Sequence, residues 1–201
     1  MAIKPSRDLS GPFAATIAEH SAQIGQVIWG ANFLQSCLLH IFEKCVCPGN
    51  RTLALAMWHS HGSDATQRAM LMAVAKLHYG ENSEVFTNIV WILNNANQLV
   101  ELRNQATHTL ITMGEYQGGT YTVSPDRNST RPAIVEKLLQ KPIETWWEDV
   151  SIDFYVLGMY ASFHVEFFNG VQPEMPSRPD LKVASWKPKT LTQPKNSSPN
   201  S

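Results

Sequence analysis

The chain is poor in the features that most readily announce a function. Cysteine is scarce: Cys37, Cys45 and Cys47 are the only three in 201 residues. An odd number, two of them in a Cys-x-Cys arrangement, makes a poor disulfide framework, and no second Cys or His pair stands at zinc-finger spacing. The expectation is free thiols in a reducing compartment and no metal site. A charge excess is missing too: 16 Lys and Arg against 17 Asp and Glu leave a net charge of −1, with a pI near 6.6. That balance gives no general attraction to nucleic acid or an anionic membrane surface, so any RNA binding has to be local. Long apolar runs are also missing. The most apolar stretch, residues 154–163, lies between Asp153 and His164 and is about half a membrane span. The first eight residues hold no apolar core for a secretory signal. These absences point to a cytoplasmic chain with no membrane partner, in which the Asn128-Ser129-Thr130 sequon has no use. Neither a Gly-rich phosphate loop nor a nucleophile elbow occurs, and no cofactor is expected.

What is present is helical periodicity. The hydrophobic fraction, 43%, suffices for one domain with a real core. Residues 1–11 read as a flexible arm. From residue 13 to about 45, Ile17, Ile24, Ala31 and Leu38 recur every seven residues, with Val27, Leu34 and Ile41 three positions later. That is the pattern of a long helix in a bundle, stopped by Cys47-Pro48-Gly49-Asn50. A short helix follows over 51–58. A second long one, capped by Ser63 or Asp64 and running to about residue 78, offers Ala69, Leu71, Met72, Val74, Ala75 and Leu77 as apolar surface. A third runs from 82 or 83 to about 108 on a seam of Ile89 and Ala96. Two β-prone runs around Gly118-Gly119 predict a hairpin inserted at about 112–124. Thr130 and Pro132 open a short helix over 133–140. Pro142 opens the last helix, with a stripe of Ile143, Trp146, Trp147, Val150, Phe154, Leu157, Ala161, His164 and Phe168. Residues 171–201 hold six of the twelve prolines and few core formers; they read as a disordered or loosely draped tail. The fold expected is all-α: a four- to five-helix up-and-down bundle over 12–170 with a small hairpin insertion.

One feature of the third long helix is not required by packing. Asn94, Asn97, Glu101, Asn104 and His108 follow one another at intervals of three and four, which places them in one polar stripe. An ordinary solvated face is written in Lys, Glu, Gln and Arg. Asparagine in a helix interior costs roughly half a kcal/mol against alanine. Asn88 and Asn95 add to the excess, so some of these amides are expected to bind something. Arg103 continues the seven-residue count from Ile89 and Ala96 and so falls on the apolar seam. A guanidinium there has to be paired, or line a cleft or a subunit interface. Arg103 and His108 are five residues apart, about 140° around a regular helix. They converge only if the helix end loosens or a second subunit closes the site.

Arg103-Asn104-Gln105-Ala106-Thr107-His108 resembles the signature of the HEPN superfamily: Arg, a polar residue, and His a few positions on, at the end of a long helix in a bundle. The detailed likeness covers six residues, the architectural one about 13–169. The resemblance implies metal-independent endoribonuclease activity at a cleft between two copies, in a toxin or defence component with a protein inhibitor or antitoxin as partner. It implies that Arg103 binds the scissile phosphate, that His108 moves protons at the 2′-hydroxyl or leaving oxygen, and that Asn104 orients one or the other. Glu101 is a weaker candidate for holding Arg103 or His108, and Asn94 and Asn97 are candidate RNA contacts. The superfamily also includes non-catalytic binding modules, and that is the alternative function.

Other residues have plainer readings. His59 and His61 lack a third ligand at useful spacing. His164 reads as a hydrogen-bonded core histidine, and Trp146 and Trp147 as core. Asp149 and Asp153, one turn apart, read as a solvated helix face.

Overall fold

The computed structural model describes residues 11–108, 111–114, 121–126, 135, 136, 138–171 and 174–183. They form five helices and a two-stranded sheet: α1 (Pro12–Val46), α2 (Arg51–His59), α3 (Asp64–Tyr79), α4 (Glu84–His108), β1 (Ile111–Met113), β2 (Val123–Pro125) and α5 (Ile143–Phe168). Local chemistry sets the boundaries. Pro12 occupies the first turn of α1, where its fixed φ suits a helix and its missing N–H is no loss. Asn50 Oδ1 accepts the Leu53 N–H at 3.1 Å to open α2. Ser63 Oγ accepts from Thr66 at 3.2 Å to open α3, and Ser83 Oγ accepts from Phe86 at 3.1 Å to open α4, each satisfying an orphan donor of a first turn. Gly80 ends α3 with φ 81°, a conformation that a side chain would resist.

The four long helices pack around one core. Leu34, Leu38, Ile41 and Phe42 of α1 meet Trp58 of α2, Leu71 of α3, Ile89, Ile92, Leu93 and Leu99 of α4, and Trp147 and Phe154 of α5. α1 lies along α5, with Gly30 and Gly158 at the close approach: a Cβ at Gly30 would stand 2.9 Å from Phe154 Cβ, and one at Gly158 2.7 Å from the Phe33 ring. The all-α bundle with its hairpin is therefore the fold, and the last helix buries every predicted stripe residue through His164. In the hairpin Thr112 pairs with Ser124 and Met113 with Val123; Gly118 and Gly119 lie outside the described residues. Of the helix expected over 133–140, Val135, Glu136 and Leu138 are helical, with Val135 and Leu138 buried; Thr130 and Pro132 lie outside the described residues. Among the described residues, no helix is long and apolar enough to cross a membrane.

Three expectations are corrected. The heptad pattern of α1 starts two turns before its packing does: Ile17 is exposed, Ile24 packs against the core and Val27 is the first buried residue, because the N-terminal turns of α1 extend past the core. On α3, Ala69 and Leu77 face outward, Leu77 with 86% of its surface open. Asp149 and Asp153 are no solvated face. Asp153 is 1% exposed and its two oxygens accept the backbone N–H groups of Lys182 at 2.8 Å and Val183 at 2.7 Å. Asp149 is ion-paired with Lys141 and Lys182. The part of the predicted tail that is described, residues 171 and 174–183, has no helix or strand but is anchored. Besides those bonds, Arg178 Nε donates to Asn88 Oδ1 at 2.9 Å and Val183 is buried.

Candidate functional site

The polar stripe of α4 forms as its spacing requires: Asn94, Asn97, Glu101, Asn104 and His108 are all exposed. Three of the helix's asparagines bind arginines of the same chain, Asn104 holding Arg103 of α4 itself. Asn88, buried, accepts from Arg178, and Asn97 Oδ1 accepts from Arg68 Nε at 2.7 Å. Asn95 instead donates to the Trp91 carbonyl one turn back at 2.8 Å. Asn94 and Glu101 have no side-chain partner among the described residues.

Arg103 leaves the seam on which the seven-residue count placed it. A straight helix drifts about 20° per heptad against that count. Over the two heptads from Ile89 the seam passes to Leu99, Leu102 and Ala106, which are buried. Arg103 is rolled to the edge, with 26% of its side chain exposed, and there it finds a carboxylate. Its Nη1 donates to Asp64 Oδ2 at 3.1 Å. Its Nε and Nη2 both donate to Asn104 Oδ1, at 3.3 and 2.9 Å. The guanidinium is thus paired, as expected, and the partner comes from the first turn of α3. Glu101, the carboxylate considered for that role, takes no part. Asn104 orients the guanidinium.

His108 is the last residue of α4 and is exposed. No hydrogen bond or ion pair to it exists among the described residues, and Arg103 is turned toward α3. A single chain therefore brings Arg103, Asn104 and Asp64 together but does not bring His108 to them, as the angle between them predicted.

Arg68 was not anticipated. It is 5% exposed and stands one turn beyond Asp64 on α3, so α3 and α4 run antiparallel with two polar links, Arg68 to Asn97 and Asp64 to Arg103. Burial lowers the Arg68 pKa, Asp64 raises it and Arg103 lowers it again. The signal was available: Arg68 precedes the buried Leu71 by three positions and Ala75 by seven, on the apolar stripe of α3.

The remaining candidates take structural places. His164 is fully buried. Its Nδ1 lies 2.9 Å from the Tyr160 carbonyl and its ring stands edge-on to Tyr160, while burial holds its pKa below the ordinary value. Trp146 and Trp147 are core. No group of three His, Cys, Asp or Glu side chains that could hold a metal ion gathers among the described residues. A cavity of about 420 Å³ lies among His20 and Glu19 of α1, Thr122, Val123 and Glu144; none of Arg103, Asn104 and His108 lines it. Comparison of the chain with protein-family models, curated proteins and solved structures gives no match.

Proposed function

We propose that this chain is a HEPN-type endoribonuclease acting as a homodimer, with Arg103, Asn104 and His108 of two copies closing on the RNA. The observation that carries the reading is the state of Arg103. Asp64 and Asn104 fix its guanidinium at the edge of the α4 face, and three of its five N–H donors are engaged; the others remain for a ligand. Fixed, partly exposed donors of this kind suit charge developing on a phosphate. His108 is exposed and without a partner among the described residues, as a group awaiting substrate would be. In the proposed reaction the ribose 2′-oxygen attacks phosphorus and the bond to the 5′-oxygen breaks, giving a 2′,3′-cyclic phosphate and a 5′-hydroxyl. One histidine takes the 2′-hydroxyl proton and a histidine, of the same or the second copy, supplies one to the departing oxygen. Asn94, Asn97 and Glu101 extend the face along which the strand would run.

A second reading, a non-catalytic helical binding module, is favoured by one fact: Arg103 already has a carboxylate partner within a single chain. The two are separated by incubating RNA with the wild type and with His108→Ala in EDTA. Cleavage by the wild type that is lost in the variant supports the nuclease. Intact RNA with both proteins, bound equally by each, supports the binding module.

A further inference from the structure

Arg68 is a buried charge with too few partners. Its Nε is held by Asn97, but its Nη1, shut away from solvent, has none among the described residues. A guanidinium carries five donors and no acceptor, and a buried donor left without a partner carries its full desolvation cost. Structural arginines in such places are normally given a carboxylate of their own. Here Asp64, on the preceding turn, is shared: it bonds Arg103 and acts on Arg68 through its charge alone.

The hydrogen-bonded cluster on α3 and α4 therefore holds two guanidinium groups and one carboxylate; Glu101, between Asn97 and Asn104 on the same stripe, is exposed and bonds neither arginine among the described residues. The construction of the cluster is repeated. Asn97 Oδ1 holds Arg68 and Asn104 Oδ1 holds Arg103, and the two asparagines are seven residues apart on one face of α4. Asp64 lies in the first turn of α3, whose N-terminal amide dipoles favour a second anion near by. Burial is the main cause that lowers the Arg68 pKa, while Asp64 raises it and Arg103 lowers it: the two cations act on each other and share one carboxylate.

We propose that Arg68 and Arg103, flanking Asp64, form a two-arginine receptor for one phosphate group, supplied by the backbone of RNA. That source rests on the nuclease reading; the phosphate itself does not. On binding, the phosphate oxygens take donors of both guanidinium groups, and Asn97 and Asn104 keep the pair in register.

The test follows the arginine Nε–Hε resonances of ¹⁵N-labelled full-length protein while inorganic phosphate is added in a chloride buffer. Phosphate should shift the Arg68 and Arg103 signals together, with one saturating affinity that weakens at least tenfold in Arg68→Gln and only a few-fold in Arg68→Lys. Movement of Arg103 alone, or of neither, overturns the proposal and leaves Arg68 a packing residue. If Arg68→Gln does not fold, Asn97→Ala stands in, and unchanged phosphate affinity there counts against the receptor. A 2′-O-methyl tetranucleotide, which cannot be cleaved by its own 2′-oxygen, separates the sources. Binding at least tenfold tighter than inorganic phosphate assigns the site to a nucleic-acid backbone, and equal affinity overturns that source in favour of a free phosphate compound. RNA cleavage without a phosphate response sinks the receptor while the nuclease stands; a joint response without cleavage does the reverse.

Discussion

Asp153 Oδ2 accepts the backbone N–H of Val183 at 2.7 Å, joining the middle of α5 to a segment thirty residues further on. The same carboxylate takes Lys182 N–H through its other oxygen, and it is all but removed from solvent. Charge-assisted bonds of this kind are among the stronger ones, and the donors left behind would stay buried. Asp153→Ala should therefore cost about 2–4 kcal/mol in urea unfolding and expose residues 174–183 to limited proteolysis. Asp153→Asn, which keeps one acceptor, should fall between. A loss under about 0.5 kcal/mol would show that the segment docks on its apolar contacts alone.

That anchor also marks where the sequence stops being readable. The helices were legible because Ile89, Ala96 and Leu99, or Trp147, Val150 and Phe154, repeat at helical spacing, and because Asn50, Ser63 and Ser83 are cap chemistry. The anchor was not, since an aspartate that binds backbone amides thirty residues away leaves no periodic trace, and a segment rich in proline, serine and lysine has the composition of a loose tail. At the candidate site the stripe from Asn94 to His108 was legible from spacing alone. The place of Arg103 was only half so: seven-residue counting ignores the 3.6-residue turn, which carried it off the seam and into reach of Asp64. Arg68 went unread although its spacing to Leu71 and Ala75 put a charge on an apolar stripe.

Gly30 sits in mid-helix, where alanine would ordinarily gain about 1 kcal/mol. Its missing Cβ is what lets α1 approach α5, since a methyl there meets the buried Phe154 Cβ at 2.9 Å and the Ser151 carbonyl at 3.4 Å. Both neighbours are held by α5 and cannot move aside cheaply, so overpacking of about 1–3 kcal/mol outweighs the propensity gain. Gly30→Ala should lower the melting temperature, whereas Gly25→Ala, with nothing within 4 Å, should raise it slightly. Equal shifts for the two variants would contradict the close approach.

Stability should fall in mild acid. Burial lowers the pKa of His164, and also those of His20 and His40, below the ordinary 6.5. A histidine that is harder to protonate when folded stabilises the fold fully above about pH 6.5. That contribution is lost as pH falls from there through the lowered folded value, at up to roughly 1.4 kcal/mol per pH unit for each such group. At lower pH Asp149 adds a second loss. Burial raises its pKa, but hydrogen bonds from Lys141 and Lys182 outweigh burial and leave it below 3.8, so its stabilisation is complete above 3.8 and fades as pH falls through the folded value. Urea midpoints between pH 7.5 and 5 should decline for the wild type and less steeply for His164→Phe. A flat wild-type profile would contradict the sign.

Thiol chemistry should single out one cysteine. Burial pushes the Cys37 and Cys45 thiols up to about 11, and both are closed to solvent, whereas Cys47 is partly open. At pH 8 a thiol of that pKa is about one part in a thousand thiolate. Ellman's reagent should therefore release one fast equivalent from the folded protein, absent in Cys47→Ser, and the remaining two only as the chain unfolds. Two or more fast equivalents would mean that the α1 end of the core opens on the time scale of the assay.

Asp64→Ala gives the proposed site its sharpest sign. The Asp64–Arg103 pair is partly exposed on both sides and by itself contributes no more than about 1 kcal/mol, but Asp64 also offsets the charge of the buried Arg68, so its removal should cost about 1–3 kcal/mol. The effects on RNA should oppose each other. Removing the one carboxylate between Arg68 and Arg103 leaves two uncompensated cations, and Kd for RNA should tighten by about three- to fivefold at low salt. Arg103 meanwhile keeps only Asn104 to fix it, and a guanidinium free to swing from its place costs rate, so single-turnover cleavage should slow by about tenfold. Tighter binding with slower cleavage is not what loss of a simple RNA contact produces. If binding and cleavage weaken together in Asp64→Ala, Asp64 contacts the substrate itself and does not act as the residue that positions Arg103.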